Sequence, residues 1–324
     1  MGKKHLYILV FLIILLLASN VWFYWAFKKQ KALYDKQSLE YQNWYNSYTM
    51  LSNNIKTLPL DSNQDPDRVL LHFVPLKEKI LKQLDTLPSD KKVAFYIQDA
   101  NTGAWLGINE SERFVPASLL KVPIAMAIYK KYEGGDINLD DELIARAEDI
   151  DTEAGVPDRY TVGHSYKVKQ LLEWMLKISD NTAKNILKGS LDPEELNSVF
   201  THVAIENPYT ADYDNQNISP RQYERMFKAL FFSTYLKPAN SQALLTLLTD
   251  TRVEGLLSAK LPWEIQVSHK YGERNDALHD CGIVYNKQNP YFICVMTSGI
   301  EIEKSKSLIN DISLEVYNYF NAGE

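Results

Sequence analysis

Strand-forming sequence stands at both ends of residues 66–324, and helix-forming sequence fills much of the middle. Val93–Gln98 and Trp105–Ile108 read as short strands joined by an Asn101-Thr-Gly103 turn. Val267–Lys270, Asp280–Tyr285 and Tyr291–Thr297 read as three more near the C-terminus. Between them, Leu119–Tyr132 is an apolar helix closed by Gly134-Gly135, and helical signals dominate from Val168 to about Phe232. Amphipathic helices over about Pro75–Leu84 and Ser305–Phe320 flank the set. This order predicts an α/β fold of the α+β kind. One antiparallel sheet is assembled from both chain ends and flanked by helices, an all-helical lobe is inserted in its middle, and a site lies at the seam.

Three polar motifs fall where such a seam would be. Ser118-Leu-Leu-Lys121 opens the apolar helix, so the hydroxyl and the amine lie one turn apart on one face. The free N–H groups and positive dipole of a helix start favour developing oxyanion charge and disfavour a protonated lysine, which suits Lys121 as a base. A second Ser-x-x-Lys, Ser89-Asp-Lys-Lys92, sits in a polar turn and lacks that context. Ser179-Asp180-Asn181 follows one helix and precedes another, which also suits an inter-helix turn that caps the second. His269-Lys270-Tyr271-Gly272 places a cation and a glycine on a late strand. The plain alternative for Ser118 alone is a helix N-cap.

In this order the three motifs resemble the class A β-lactamase and penicillin-binding-protein set, and the resemblance covers about residues 66–321. Phe114-Val-Pro-Ala-Ser118, Tyr160-Thr-Val, Thr182-Ala183, Leu256–Pro262 and Gly282-Ile-Val-Tyr285 continue it. The resemblance implies that Ser118 is the acylated nucleophile, Lys121 its general base, and Ser179 the proton relay to the leaving nitrogen. It further implies that Asn181 holds a substrate carbonyl and that Lys270, with Tyr271 and Gly272 beside it, stabilises a substrate carboxylate. The backbone N–H groups of Ser118 and Glu273 would form the oxyanion hole.

Two departures stand out. The residue after Lys270 is Tyr271, where the family has a small hydroxyl residue. The segment Ile205–Ile218 is short and lacks the Ω-loop glutamate that activates the deacylating water, with Glu206, Asp212, Asp214 and Glu273 the carboxylates near enough in sequence to substitute. For each of these four a solvated loop or capping role is the default expectation.

The first thirty residues differ from the rest. Leu6–Phe27 is a nearly unbroken apolar run of about 22 residues, long enough to cross a bilayer, with Trp22, Tyr24 and Trp25 in place for an interfacial belt. No small-x-small cleavage site follows, so an uncleaved anchor is expected. Lysines on both sides leave its orientation open by charge alone. From Tyr34 to Leu58 apolar residues recur at three- and four-residue spacings, as in a stalk helix that either dimerises or packs its stripe on another surface. The expected domains are a tip and anchor over 1–29, a helical stalk and linker over 30–65, and the catalytic domain over 66–324.

A net charge of −6 without a basic aromatic stripe gives no nucleic-acid footprint. No metal-ligand spacing is present, and no cofactor is expected. Cys281 and Cys294 flank a hairpin turn and read as two buried thiols on adjacent strands. These features fit a membrane-anchored serine hydrolase outside the cytoplasm, taking a β-lactam or related amide and deacylating slowly. The competing readings are a D-alanyl carboxypeptidase or transpeptidase on peptidoglycan peptides and a wall-binding protein without turnover.

Overall fold

The computed structural model describes residues 28, 73–88, 90–210, 217–249, 256–286 and 289–321. The apolar run 6–27, the heptad stretch 34–58, Ser89, Asp212 and Asp214 lie outside the described residues. No helix among the described residues is long and apolar enough to cross a membrane.

Five strands form an antiparallel sheet in the order β2-β1-β7-β6-β5. They are β1 (Lys92–Asp99), β2 (Trp105–Ile108), β5 (Val267–Arg274), β6 (Ala277–Val284) and β7 (Tyr291–Ser298). β1, from the first strand block, pairs along its length with β7 from the last, Phe95 opposite Val295 and Ile97 opposite Ile293. The sheet is thus closed from both ends of the chain. Seven of eight residues in β1 and all eight in β6 are buried, because both faces of the sheet are covered.

On one face, Phe95, Ile97, Leu278, Ile293 and Val295 pack with Leu76 and Ile80 of α1 (Val74–Leu84) and with Ile309, Ile312 and Val316. The last three belong to the C-terminal helix, Ile302–Asn321. On the other face, Cys281, Ile283, Cys294 and Met296 join the core of the inserted lobe. Its central helix α2 (Lys121–Gly134) is buried continuously from Lys121 to Tyr129 and stops at Gly135, whose φ of +86° ends the helix in a left-handed turn. Each large apolar side chain buried there contributes roughly 1.5–3 kcal/mol.

The lobe also contains α3 (Val168–Lys177), α4 (Asn181–Gly189), α5 (Pro193–His202), α6 (Pro220–Phe231) and α7 (Pro238–Thr249). It is not all-helical, as the sequence suggested. β3 (Glu142–Ile144) and β4 (Ser165–Lys167) form a two-stranded ladder within it. Three-residue strands are too short for alternation to show in sequence. α7 is a further helix beyond the expected set, and its signal is a proline at the first helical position. Cys281 and Cys294, expected as free thiols, are disulfide-bonded. They face each other directly across β6 and β7 with Cα atoms 4.0 Å apart, a register the hairpin turn sets but does not reveal in sequence.

Candidate active site

Ser118 lies in a short 3₁₀ turn, Ala117–Leu120, that leads into α2 rather than at the N-cap of a plain α-helix, and no side-chain cap bond is made there. Ala117 before it has φ +49°, a left-handed conformation that costs an alanine roughly 1 kcal/mol or more. The surroundings hold that turn from several sides. His279 Nε2–H donates to the Val115 carbonyl at 2.9 Å, and the buried Tyr223 hydroxyl donates to the Leu119 carbonyl at 2.7 Å. Phe114 exchanges both backbone bonds with Ile218 at 3.0 Å. Gly272 of β5 lies so close that a Cβ there would come within 2.7 Å of the Pro116 carbonyl oxygen. The motif glycine therefore serves close approach of the strand to the nucleophile turn.

Ser179 is the other strained position, with φ +56°. Asp180 after it is the N-cap of α4, accepting from Ala183 N at 2.8 Å, Val156 N at 3.0 Å and the Tyr160 hydroxyl at 3.0 Å. Gly155, at φ +104°, lies against that carboxylate where a Cβ would collide with it. The capping reading and the projection of Ser179 and Asn181 into the cleft hold together, because the cap fixes the turn that carries them.

Four of the predicted residues, Lys121 included, meet at the Lys121 amine, and Lys270 joins them through Ser179. Lys121 Nζ lies 2.9 Å from Ser118 Oγ, 2.9 Å from Ser179 Oγ, 2.5 Å from the Ser179 carbonyl oxygen and 2.7 Å from Asn181 Oδ1. Lys270 Nζ donates to Ser179 Oγ at 3.2 Å. Lys121 is 1% exposed, and its pKa falls to about 6, first through burial and then through the positive charges of Lys270 and Lys184, with Asp180 and Asp151 opposing. The amine is therefore neutral at pH 7. A neutral amine has two N–H donors and one lone pair. The Ser179 carbonyl and Asn181 Oδ1 can take the donors, which leaves the lone pair facing the Ser118 and Ser179 hydroxyls at 2.9 Å each, able to accept from Ser118. That is the arrangement of a base beside a nucleophile.

Lys270 is fully buried, donates also to the Tyr271 carbonyl at 3.0 Å, and lies 4.0 Å from the centroid of the Tyr271 ring. Glu273 sits two residues beyond Tyr271 on β5 with its side chain exposed, opposite Leu278. Glu206 is also exposed. Among the described residues no carboxylate bonds Ser118 Oγ or Lys121 Nζ.

Four neighbours escaped the sequence reading. His279 is buried and neutral, its pKa lowered to about 4 by burial; Nε2 carries the proton toward Val115, so Nδ1 accepts from Thr297 N at 3.3 Å. Asp151 Oδ1 accepts from Asn181 Nδ2 at 3.3 Å. The hydroxyl of Tyr209, in the short Pro208–Thr210 turn, donates to the Leu120 carbonyl at 3.3 Å. Tyr223 holds Leu119 as described. None belongs to a motif, so composition and spacing carried no signal for them.

The chain thus sets a buried amine between two serines in a mixed helix-and-sheet fold. The chain belongs to the β-lactamase enzyme family, whose model matches residues 75–320. It is 28% identical over 159 residues to a β-lactamase of Rhodobacter capsulatus, an alignment spanning 45% of this chain and 54% of that relative. It is 23% identical over 286 residues to β-lactamase VEB-1 of Pseudomonas aeruginosa, covering 80% of this chain and 92% of the relative. The structure of PBP-A superposes with a TM-score of 0.71 at 26% identity, over 77% of this chain and 97% of the other.

Proposed function

We propose that the protein is a membrane-anchored serine hydrolase that opens a β-lactam or related amide through an acyl-Ser118 intermediate and deacylates slowly. The observation that carries this reading is the neutral Lys121 amine set between Ser118 Oγ and Ser179 Oγ at 2.9 Å each. Ser118 Oγ attacks the carbonyl carbon while its proton passes to Lys121 Nζ. The backbone N–H groups of Ser118 and Glu273 receive the oxyanion, the kind of contribution that is often the largest to such a barrier. On collapse the carbon–nitrogen bond breaks, and the leaving nitrogen takes a proton from Ser179. Ser179 recovers its own from Lys121, which returns to the neutral state. Asn181 Nδ2, now bonded to Asp151, is the donor available to a substrate carbonyl.

Among the described residues no carboxylate bonds Ser118 or Lys121, and the segment Ile205–Ile218 lacks the deacylating glutamate that the resemblance would place there. That observation favours a second reading, an enzyme of peptidoglycan peptides for which β-lactams are long-lived acylating ligands. The resemblance to PBP-A supports it, and a mutant of PBP-A superposes as an acyl-enzyme complex with penicillin G at a TM-score of 0.70. The apolar run Leu6–Phe27 supports membrane anchoring. The Cys281–Cys294 disulfide supports placement outside the cytoplasm.

Intact-protein mass spectrometry after addition of penicillin G and of a fluorophosphonate tests the reading. A one-equivalent adduct that maps to Ser118 and is lost in Ser118→Ala is expected. An adduct that persists in Ser118→Ala, or maps to Ser89, refutes it. Protease added to intact spheroplasts should remove residues 66 onward; protection until lysis would place the domain in the cytoplasm.

A further inference from the structure

β5, which carries Lys270 and Tyr271, is the edge strand of the five-stranded sheet, so its outer side borders the cleft rather than another strand of that sheet. A lysine here is suited to holding an anion only if its ammonium can be reached. Lys270 is 0% exposed. An ammonium has three N–H donors. Among the partners of Lys270 are the Ser179 hydroxyl at 3.2 Å, the Tyr271 carbonyl at 3.0 Å and the Tyr271 ring, whose centroid is 4.0 Å away. The electron-rich face of a phenol attracts a cation and covers one side of the ammonium.

On the side of Ser179 and Tyr271, a carboxylate would reach Lys270 Nζ by displacing the Tyr271 ring or by taking the bond that Lys270 gives to Ser179. The first exchanges a cation–π contact within a packed site for a new ion pair. The second removes the link from Lys270 to the serine that hands a proton to the leaving nitrogen. The other basic side chain across this end of the sheet does not help. His279 on β6, opposite Gly272, is fully buried, and its two ring nitrogens bond the Val115 carbonyl and Thr297 N. Arg274 stands further along, as the last residue of β5.

From this geometry we infer that Tyr271 is a specificity-determining residue that selects acyl donors uncharged beside the scissile bond, such as an internal peptide amide, over donors with a free carboxylate there. The inference rests on the acyl-Ser118 reading and narrows its substrate class. The chemistry of the step is unchanged: Ser118 Oγ bonds to the acyl carbon, the carbon–nitrogen bond breaks, and the amine leaves with the proton relayed through Lys121 and Ser179. What changes is the group that lies along β5 beyond the leaving nitrogen. A neutral backbone and side chain can pack on the Tyr271 ring, whereas a carboxylate there would lose water without gaining the Lys270 cation. β-Lactams, whose ring carries a carboxylate next to the scissile nitrogen, then react through ring strain more than through recognition.

A matched pair of benzoyl-D-alanyl thioesters tests this, one with a thioglycolate leaving group and the other its methyl ester. Second-order acylation rates of the full-length protein are read by intact-protein mass spectrometry for wild type, Tyr271→Thr and Tyr271→Phe. Wild type is expected to react with the neutral ester at least as fast as with the carboxylate. Tyr271→Thr should move the ratio about 10- to 100-fold toward the carboxylate, the range of one charge-assisted hydrogen bond. Tyr271→Phe, which keeps the ring, should leave the ratio where it is. A tenfold or larger wild-type preference for the carboxylate overturns the inference, as does an unchanged ratio in Tyr271→Thr. If those results come with a Ser118 adduct, only the substrate class is wrong. Absence of a Ser118 adduct with either thioester and with a fluorophosphonate overturns the acyl-serine reading along with it.

Discussion

The two borders of Ser118 are built to different densities. Toward the sheet and α4, Lys121, Ser179, Asn181 and Lys270 form one connected hydrogen-bond network, with two strained residues, Ala117 and Ser179, held by buried partners. Toward the 205–210 segment, what lies against the start of α2 is the Tyr209 hydroxyl on the Leu120 carbonyl, with the Lys188 ammonium 4.5 Å from the centroid of the Tyr209 ring. The first border can take a proton from a serine, hold it and pass it on. The second offers a phenol, and no carboxylate among the described residues bonds Ser118 or Lys121 from it. Forming an acyl-serine and removing it are chemically separate tasks, and the density of polar contacts differs between the parts that would serve them.

Removing the centre of the dense border should have the largest effect. Lys121→Ala is expected to slow acylation of Ser118 by about 10²–10⁴-fold, the range for loss of a positioned general base. The measure is the rate of adduct formation by a β-lactam or fluorophosphonate. A loss below about tenfold would mean that another group takes the Ser118 proton, and the contrast between the borders would weaken. The sparse border should show itself in steady state. Penicillin hydrolysis is expected as a burst of one equivalent followed by turnover limited by deacylation, about 10²–10⁴-fold slower than with a positioned base. Rapid turnover without a burst would break the comparison, and alanine variants of Glu206, Asp212, Asp214 and Glu273 would then identify the missing carboxylate.

pH separates the two borders further. Lys121 must be neutral to accept a proton, and burial lowers its pKa to about 6. Acylation is therefore expected to rise about tenfold per pH unit below 6 and to level off above it. The same shift fixes the sign of its effect on stability: the unfolded chain holds this proton up to about pH 10.5 and the folded one releases it near 6, so this group favours folding more as pH rises through that window. An acylation profile flat from pH 5 to 8 would show that Lys121 is not the base.

His279 gives a stability change of its own. Its folded pKa of about 4 lies below the ordinary histidine value of 6.5 because the ring is buried, so the unfolded chain binds the extra proton first. Between pH 6.5 and about 4, stability should fall progressively, by about 3 kcal/mol from this group. Urea denaturation of wild type and His279→Gln at pH 7 and pH 4.5 measures it, and an equal loss in both would remove the histidine from the account.

Much of the site was legible because its residues sit in contiguous motifs whose local structure fixes them. Ser118 and Lys121 are one turn apart, Asp180 caps the helix that Asn181 begins, and Gly272 marks a close approach of backbone to backbone. The sheet was legible because strands near both chain ends are long enough to show apolar runs. What remained hidden depends on contacts between distant residues. His279 and Tyr223 act through single bonds to backbone carbonyls, and any histidine or tyrosine in a core strand or helix would look the same in sequence. The position of the Tyr271 ring over Lys270 likewise needs the geometry of an edge strand.

The smallest expected effect concerns the brace beneath the dense border. Cys281 lies opposite Lys270 on β5 and is bonded to Cys294, which in turn lies opposite Tyr96 on β1. The disulfide thus ties two inner strands of the sheet at the level of Lys270, in the core that the sheet shares with the lobe. Closing a loop with a sequence separation of 13 removes freedom from the unfolded chain worth roughly 2–3 kcal/mol. The strands it joins are already paired by a full ladder, so its loss should not reposition Lys270. Replacing both cysteines by alanine is therefore expected to lower unfolding free energy by about 2–3 kcal/mol. The acylation rate at 25 °C and its rise near pH 6 should stay where they were. If acylation instead fell in step with stability, the network at Lys121 would depend on the brace, and the density of its contacts would not be enough to hold it in place.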